Sequence, residues 1–129
     1  METKNNKTIL VVEDEVILRR AITEVLKREG FLTLEAENGK EGLDSALKFH
    51  PDLILLDLLM PVMQGMEALK EIRKDAWGAH VPVIILTVLS ATDEKLVEDM
   101  VTERPVFYLV KSDWKIHDVI LKIKEALKM

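Results

Sequence analysis

Residues 53–56 read Leu-Ile-Leu-Leu without a polar interruption and stop on an acid, Asp57. A strand with one wet face alternates apolar and polar residues, so an unbroken run reads as a strand covered on both faces, as in a parallel sheet. Such a sheet needs a crossover between neighbouring strands, usually a helix.

The rest of the chain supplies those crossovers. Thr8–Val12 is a first apolar run, and Leu18, Ala21, Ile22, Val25 and Leu26 follow at spacings of three and four, one face of a helix that ends near Gly30. Residues 31–36 form a second strand, and Leu43, Ala46 and Leu47 mark a helix that His50 and Pro51 stop. Beyond Asp57, Met66, Leu69 and Ile72 predict a third helix and residues 81–86 a fourth strand. Leu96, Val97, Met100 and Val101 form a narrower apolar stripe, and residues 106–110 a fifth strand. Ile116, Val119, Ile120, Ile123 and Leu127 close the chain on an amphipathic helix. Five βα units imply an α/β, doubly wound fold, a parallel sheet with helices on both faces. At 129 residues the chain suits one domain, predicted over 8–129 after a flexible N-terminal segment, 1–7.

The formal charge of -5, from 18 basic and 23 acidic residues, gives no cationic field for nucleic acid or an anionic membrane. Cysteine is absent, which removes disulfides and thiol nucleophiles, and no stretch resembles a signal peptide or a membrane span. A cytoplasmic protein is expected.

In an open α/β sheet, ligands bind beyond the carboxyl ends of the strands. There the sequence puts Glu13 and Asp14 after the first strand, Asp57 after the third, Thr87 after the fourth and Lys111 after the fifth. Singly, each has an ordinary reading as a helix cap, a strand-end hydroxyl or a solvated charge. Together they share one rim, where three carboxylates repel one another unless a cation intervenes. All-oxygen ligation without Cys or His suits Mg2+. A carboxylate can also act as a nucleophile and form an aspartyl-phosphate, with metal, Lys111 and the Thr87 hydroxyl each taking a phosphoryl oxygen.

These residues, with Asp57 set in "DLLMPVMQGMEAL", make the chain similar to the receiver domains of two-component response regulators over essentially its whole length. The resemblance implies a flavodoxin-like sheet in the order 2-1-3-4-5. It implies that Asp57 is the phosphoacceptor, that Asp14 and Asp57 ligate Mg2+ directly, Glu13 through water, and that the backbone carbonyl of Leu59 is a further ligand. Tyr108 falls where the family keeps an aromatic switch, coupled to Thr87 and read at the face of the fourth helix, fifth strand and fifth helix. The implied partners are a sensor histidine kinase or phosphotransfer protein as donor and a downstream protein as target, with no direct contact to nucleic acid or membrane. The expected protein is a stand-alone regulator, monomeric or weakly homodimeric, that promotes its own phosphorylation and dephosphorylation and is not an enzyme in its own right.

Some positions depart from the family pattern. Ser112 follows Lys111 where the family mostly has proline after a cis peptide, so the loop either relaxes to trans or keeps strain. Val88 replaces a smaller residue and is expected to narrow access. Leu59 and Leu89 stand where polar groups could orient water, so a long-lived phosphoryl state is expected. The segment "VTERPVF" leaves the loop before the fifth strand unreadable.

Two other readings use the same residues: a haloacid-dehalogenase-type phosphohydrolase, which needs a second acid where this chain has Leu59, and a degenerate receiver serving as a phosphorylation-independent scaffold. His50, His80 and His117 lack metal-ligand spacing. Met60, Met63 and Met66 suit core filling or docking equally, Trp77 and Trp114 suit local packing, and Lys115, Lys122, Lys124 and Lys128 suit a solvated face.

Overall fold

The computed structural model describes residues 5–60, 62–89 and 94–129. Five strands, β1 (Thr8–Val12), β2 (Leu32–Ala36), β3 (Leu53–Leu56), β4 (Val83–Thr87) and β5 (Phe107–Val110), alternate with five helices. These are α1 (Val16–Arg28), α2 (Gly39–Phe49), α3 (Gly65–Lys74), α4 (Glu94–Glu103) and α5 (Ile116–Ala126). All strand pairs are parallel, in the order β2-β1-β3-β4-β5, the doubly wound sheet that the sequence predicts.

The central run now has its explanation. Leu53 and Leu55 point into the core half shared with α1 and α5, Ile54 and Leu56 into the half under α2 and α3, and all four are buried. Neither face of β3 meets water, so neither can be polar. The chain order reverses between β1 and β3, and their carboxyl ends, continuing into Glu13 and Asp57, form the crevice where such folds bind ligands.

Local chemistry sets the element ends. Gly30, at φ 91°, turns the chain out of α1 in a left-handed conformation that a side chain would strain. Asn38 caps α2 by accepting the Glu41 amide at 2.8 Å, and His50, at φ 48°, ends that helix before Pro51. Of the expected N-terminal segment, residues 1–4 lie outside the described residues; the Asn5 amide donates to the Gly30 carbonyl and the Leu32 amide to that of Lys7.

Three expectations shift. The fourth strand starts two residues later than predicted and includes Thr87, which it holds fully buried. The loop after α4 turns at Arg104, whose φ of 54° precedes Pro105. The stripe on α4 is not a buried face: Leu96 packs on the core, but Val97 and Val101 are 40% and 74% exposed. Periodicity shows that a helix has an apolar side, not that anything covers it. No helix among the described residues is long and apolar enough to cross a membrane.

Candidate functional site

Parallel pairing delivers the acids to one place. The Asp57 amide donates to the Val12 carbonyl at 3.0 Å and the Glu13 amide to that of Ala36 at 3.0 Å, so both residues leave the sheet in register with their neighbours. Glu13 and Asp57 are buried while Asp14 is exposed at the mouth. Carboxylate oxygens of the three lie within 4.8 Å of one another, the one cluster of that kind among the described residues.

One ammonium holds this cluster together. Lys111 Nζ lies 2.7 Å from Glu13 Oε1 and 3.2 Å from Asp57 Oδ2, and its side chain is only 14% exposed. The second oxygens are also used: Glu13 Oε2 accepts the Glu15 amide at 3.1 Å, and Asp57 Oδ1 the Leu59 amide at 3.3 Å. Burial pushes the Glu13 carboxyl up to about 7, against the opposing pull of Lys111. Burial also works against the charge on Lys111, but the Glu13 and Asp57 carboxylates outweigh it and raise its pKa.

The predicted residues Glu13, Asp14, Asp57 and Lys111 are therefore in one pocket, with Thr87 buried at the end of β4 beside it. Leu59 places its amide on Asp57 and leaves its side chain partly exposed; Val88 is exposed after Thr87. The Thr87 hydroxyl accepts the Leu89 amide at 3.5 Å, and the Tyr108 hydroxyl donates to the Leu89 carbonyl at 2.8 Å. Thr87 and Tyr108 thus grip the two ends of one residue on the segment leading to α4. Burial, then the Asp57 charge, raise the pKa of the Tyr108 phenol, which keeps it a donor. The Lys111–Ser112 peptide is trans, and residues 111–113 relax into a 3-10 turn.

Two supports escaped the sequence reading. Arg19, buried on α1, donates to the Glu13 carbonyl at 2.7 Å and pairs with Glu35 at 2.9 Å, bracing the first acidic loop against β2. The signal was a cation on the apolar stripe, one helical turn before Ile22. Gly65 lets α3 start against the backbone of Asp57: a Cβ built there would lie 2.0 Å from the Asp57 carbonyl oxygen. The histidines make no cluster with the acids; His50 instead stacks on Trp77, ring centres 4.4 Å apart.

The profile of the response regulator receiver domain matches residues 9–123. The chain belongs to that family. The receiver is 34% identical over 128 residues to the transcriptional regulatory protein ResD of Bacillus subtilis, covering 99% of this chain and 51% of that one. It therefore spans about half the length of that curated relative. A CheY-like receiver domain protein of Methanospirillum hungatei superposes with a TM-score of 0.86 at 25% identity, covering 96% of this chain and 95% of the other. The receiver domain of a Pseudomonas aeruginosa sensor histidine kinase, solved with a magnesium ion coordinated in its active-site cleft, superposes at 0.83 with 27% identity, covering 96% and 99%. Membership displaces the phosphohydrolase reading, which also lacks its second acid at Leu59.

Proposed function

We propose that this receiver accepts a phosphoryl group on Asp57 and passes the signal on through changed protein contacts. The observation that carries the reading is the Lys111 ammonium drawn between two buried carboxylates, with a third at the mouth. That arrangement keeps one cation, and a carboxylate set able to recruit another, at the place where phosphoryl negative charge is to arrive.

The donor set fits a hard divalent cation: three carboxylates, oxygen throughout, one of them exposed at a mouth open to the waters that Mg2+ retains. Asp14 and Asp57 would hold the ion directly, Glu13 through water, and the Leu59 carbonyl would complete the protein's share. When bound, Mg2+ neutralises the carboxylates and draws charge from a phosphoryl oxygen. The protein's own groups do the rest. Asp57 supplies an oxygen that attacks phosphorus as the P–N bond of a donor phosphohistidine breaks, the electron pair leaving on the imidazole nitrogen. Lys111 lies close enough to swing from the carboxylates to a phosphoryl oxygen, and Thr87 offers a hydroxyl to another. Drawing Thr87 inward pulls on Leu89, and with it on Tyr108, a small shift handed to the α4 side of the fold.

The test is intact mass after acetyl phosphate, with and without Mg2+, for wild type and Asp57→Asn. A magnesium-dependent gain of one phosphoryl group, lost in the variant, is expected; a wild type that stays unmodified with its fold intact supports the scaffold reading instead. The donor is read as a sensor histidine kinase or phosphotransfer protein and the target as another protein.

Leu59, Leu89 and Val88 set the lifetime of that state. Neither leucine can orient an attacking water and Val88 narrows access, so hydrolysis is expected to be slow. Leu59→Asn, which restores a polar group two residues beyond Asp57, is expected to shorten the phosphoryl half-life about tenfold or more. Val88→Ala is expected to speed both gain and loss of the group; unchanged rates in both directions would remove the steric argument.

A further inference from the structure

Helix α4 carries no basic residue in its last turn, and Arg104, just past it, turns its guanidinium to the Ala79 carbonyl at 3.4 Å. The Arg104 amide closes a last helical bond to the Met100 carbonyl, but the carbonyls beyond lack helical partners and hold the negative end of the dipole. Arg104 leaves the helix in a left-handed conformation and Pro105 blocks continuation, so the chain cannot satisfy those carbonyls by extending the helix.

Arg73, near the end of α3, supplies what α4 lacks. Its Nε donates to the Glu103 carbonyl at 2.8 Å and its Nη2 to that of Arg104 at 3.4 Å. Its Nη1 donates to the carbonyls of Gly78 at 2.8 Å and Val81 at 2.6 Å. One planar fork therefore ties the end of α4 to α3 and to the entry of β4, which a lysine's single ammonium could not span. A groove of about 580 Å³ lies between α3 and the last turn of α4, lined by Arg73 itself with Lys70, Glu71, Thr102, Glu103 and Arg104. Further up the helix the Lys70–Asp99 ion pair at 3.0 Å links the two, made by a half-exposed lysine and open to solvent screening. The outer face of α4, Val97 and Val101, is exposed.

We infer that Arg73 is the pivot of α4: it fixes the C-terminal end of the helix, so that phosphorylation displaces the N-terminal half about that end. The inference rests on the phosphoacceptor reading, because the pull enters at Thr87, Leu89 and Tyr108, ahead of the helix. Arg73 is a positioning residue; it touches none of the reacting groups.

Amide hydrogen exchange of the full chain tests it, with intact mass after acetyl phosphate and Mg2+ on parallel samples. Wild type, Arg73→Lys and Arg73→Met are each measured free and with beryllofluoride and Mg2+. In wild type the adduct is expected to change exchange in 94–99 and leave 101–104 as protected as before. Arg73→Met is expected to speed exchange in 101–104 about tenfold or more, to spread the adduct's effect over the whole helix, and to leave protection in β1 and β3 intact, with Arg73→Lys in between. Unchanged protection of 101–104 in Arg73→Met overturns the pivot, as does a wild-type adduct that alters α4 uniformly. Failure of wild type to gain a phosphoryl group from acetyl phosphate by mass overturns the phosphoacceptor reading, and the pivot's part in switching falls with it. General loss of protection in Arg73→Met moves the decision to Arg73→Lys and the wild-type pattern, which decide on the same criteria.

Discussion

Gly65→Ala is expected to be one of the most damaging single-methyl changes available to this chain, costing about 3 kcal/mol and lowering Tm by about 10 °C. By propensity alone, alanine for glycine at a helix start should help. The clash decides the sign. An added Cβ would meet the Asp57 carbonyl oxygen at 2.0 Å and the Leu58 Cα at 2.8 Å, both backbone atoms, while the Gly65 amide is pinned to the Leu58 carbonyl at 3.0 Å. Relief requires α3 to retreat or the loop carrying Asp57 to move. Gly42→Ala is the control: its Cβ would come closest to a side chain, that of Val12, with its methyl groups at 2.8 and 2.9 Å, and it lies within α2. Steric strain there is set partly against better helix propensity, so a clearly smaller loss is expected. Thermal melts of both variants check the contrast. A Gly65→Ala melt within 2 °C of wild type, a margin of roughly 0.5 kcal/mol, would show that the close approach carries no such cost. Because the displaced atoms belong to Asp57, phosphorylation by acetyl phosphate should also slow in the folded fraction of Gly65→Ala and stay near normal in Gly42→Ala.

Glycine 65 also shows where a sequence stops being readable. The run at 53–56 declared a strand buried on two sides, and the acids after β1 and β3 declared a rim, because both are local patterns repeated along the backbone. The order of the strands is not local; the resemblance supplied it and the pairing of β1 with both β2 and β3 bears it out. What the periodicity missed are contacts between distant segments: Gly65 against Asp57, Arg19 reaching both Glu13 and Glu35, Arg73 collecting carbonyls thirty residues away. Each looks locally like an ordinary helix residue. The stripe on α4 erred in the opposite direction, since Val97 and Val101 keep helical spacing but face outward. Lys111 was placed on the rim by sequence, yet its grip on Glu13, closer than that on Asp57, emerges only from the folded geometry.

That grip makes Lys111→Met the second large prediction. Methionine keeps much of the side chain's length and apolar contact, so the change removes the charge more than the packing. It leaves Glu13 and Asp57, both buried, facing each other without a cation, and removing one partner of a buried ion pair costs about 3 kcal/mol or more. The penalty should depend on pH in a fixed direction. The Glu13 carboxyl would hold its proton more tightly folded than unfolded, so the folded state binds the extra proton and stability falls as pH rises. For Glu13 in wild type that fall runs from the ordinary carboxylate range to about 7; in the variant, with the opposing pull of Lys111 gone, it extends higher. The two proteins should therefore melt closest together in acid and furthest apart above neutrality. Added Mg2+ should raise the variant's Tm more than the wild type's, because the ion then supplies the counter-charge that Lys111 gave. Melts at acidic and alkaline pH, with and without Mg2+, separate this from simple loss of packing, which would lower Tm equally across pH and leave the metal response unchanged. Phosphorylation provides the last contrast: a variant restored in stability by Mg2+ should still take up phosphate slowly, since the ion neutralises the carboxylates but leaves no ammonium to meet the incoming phosphoryl oxygen. Full-speed phosphorylation in Lys111→Met would reduce Lys111 to a structural counter-ion for Glu13.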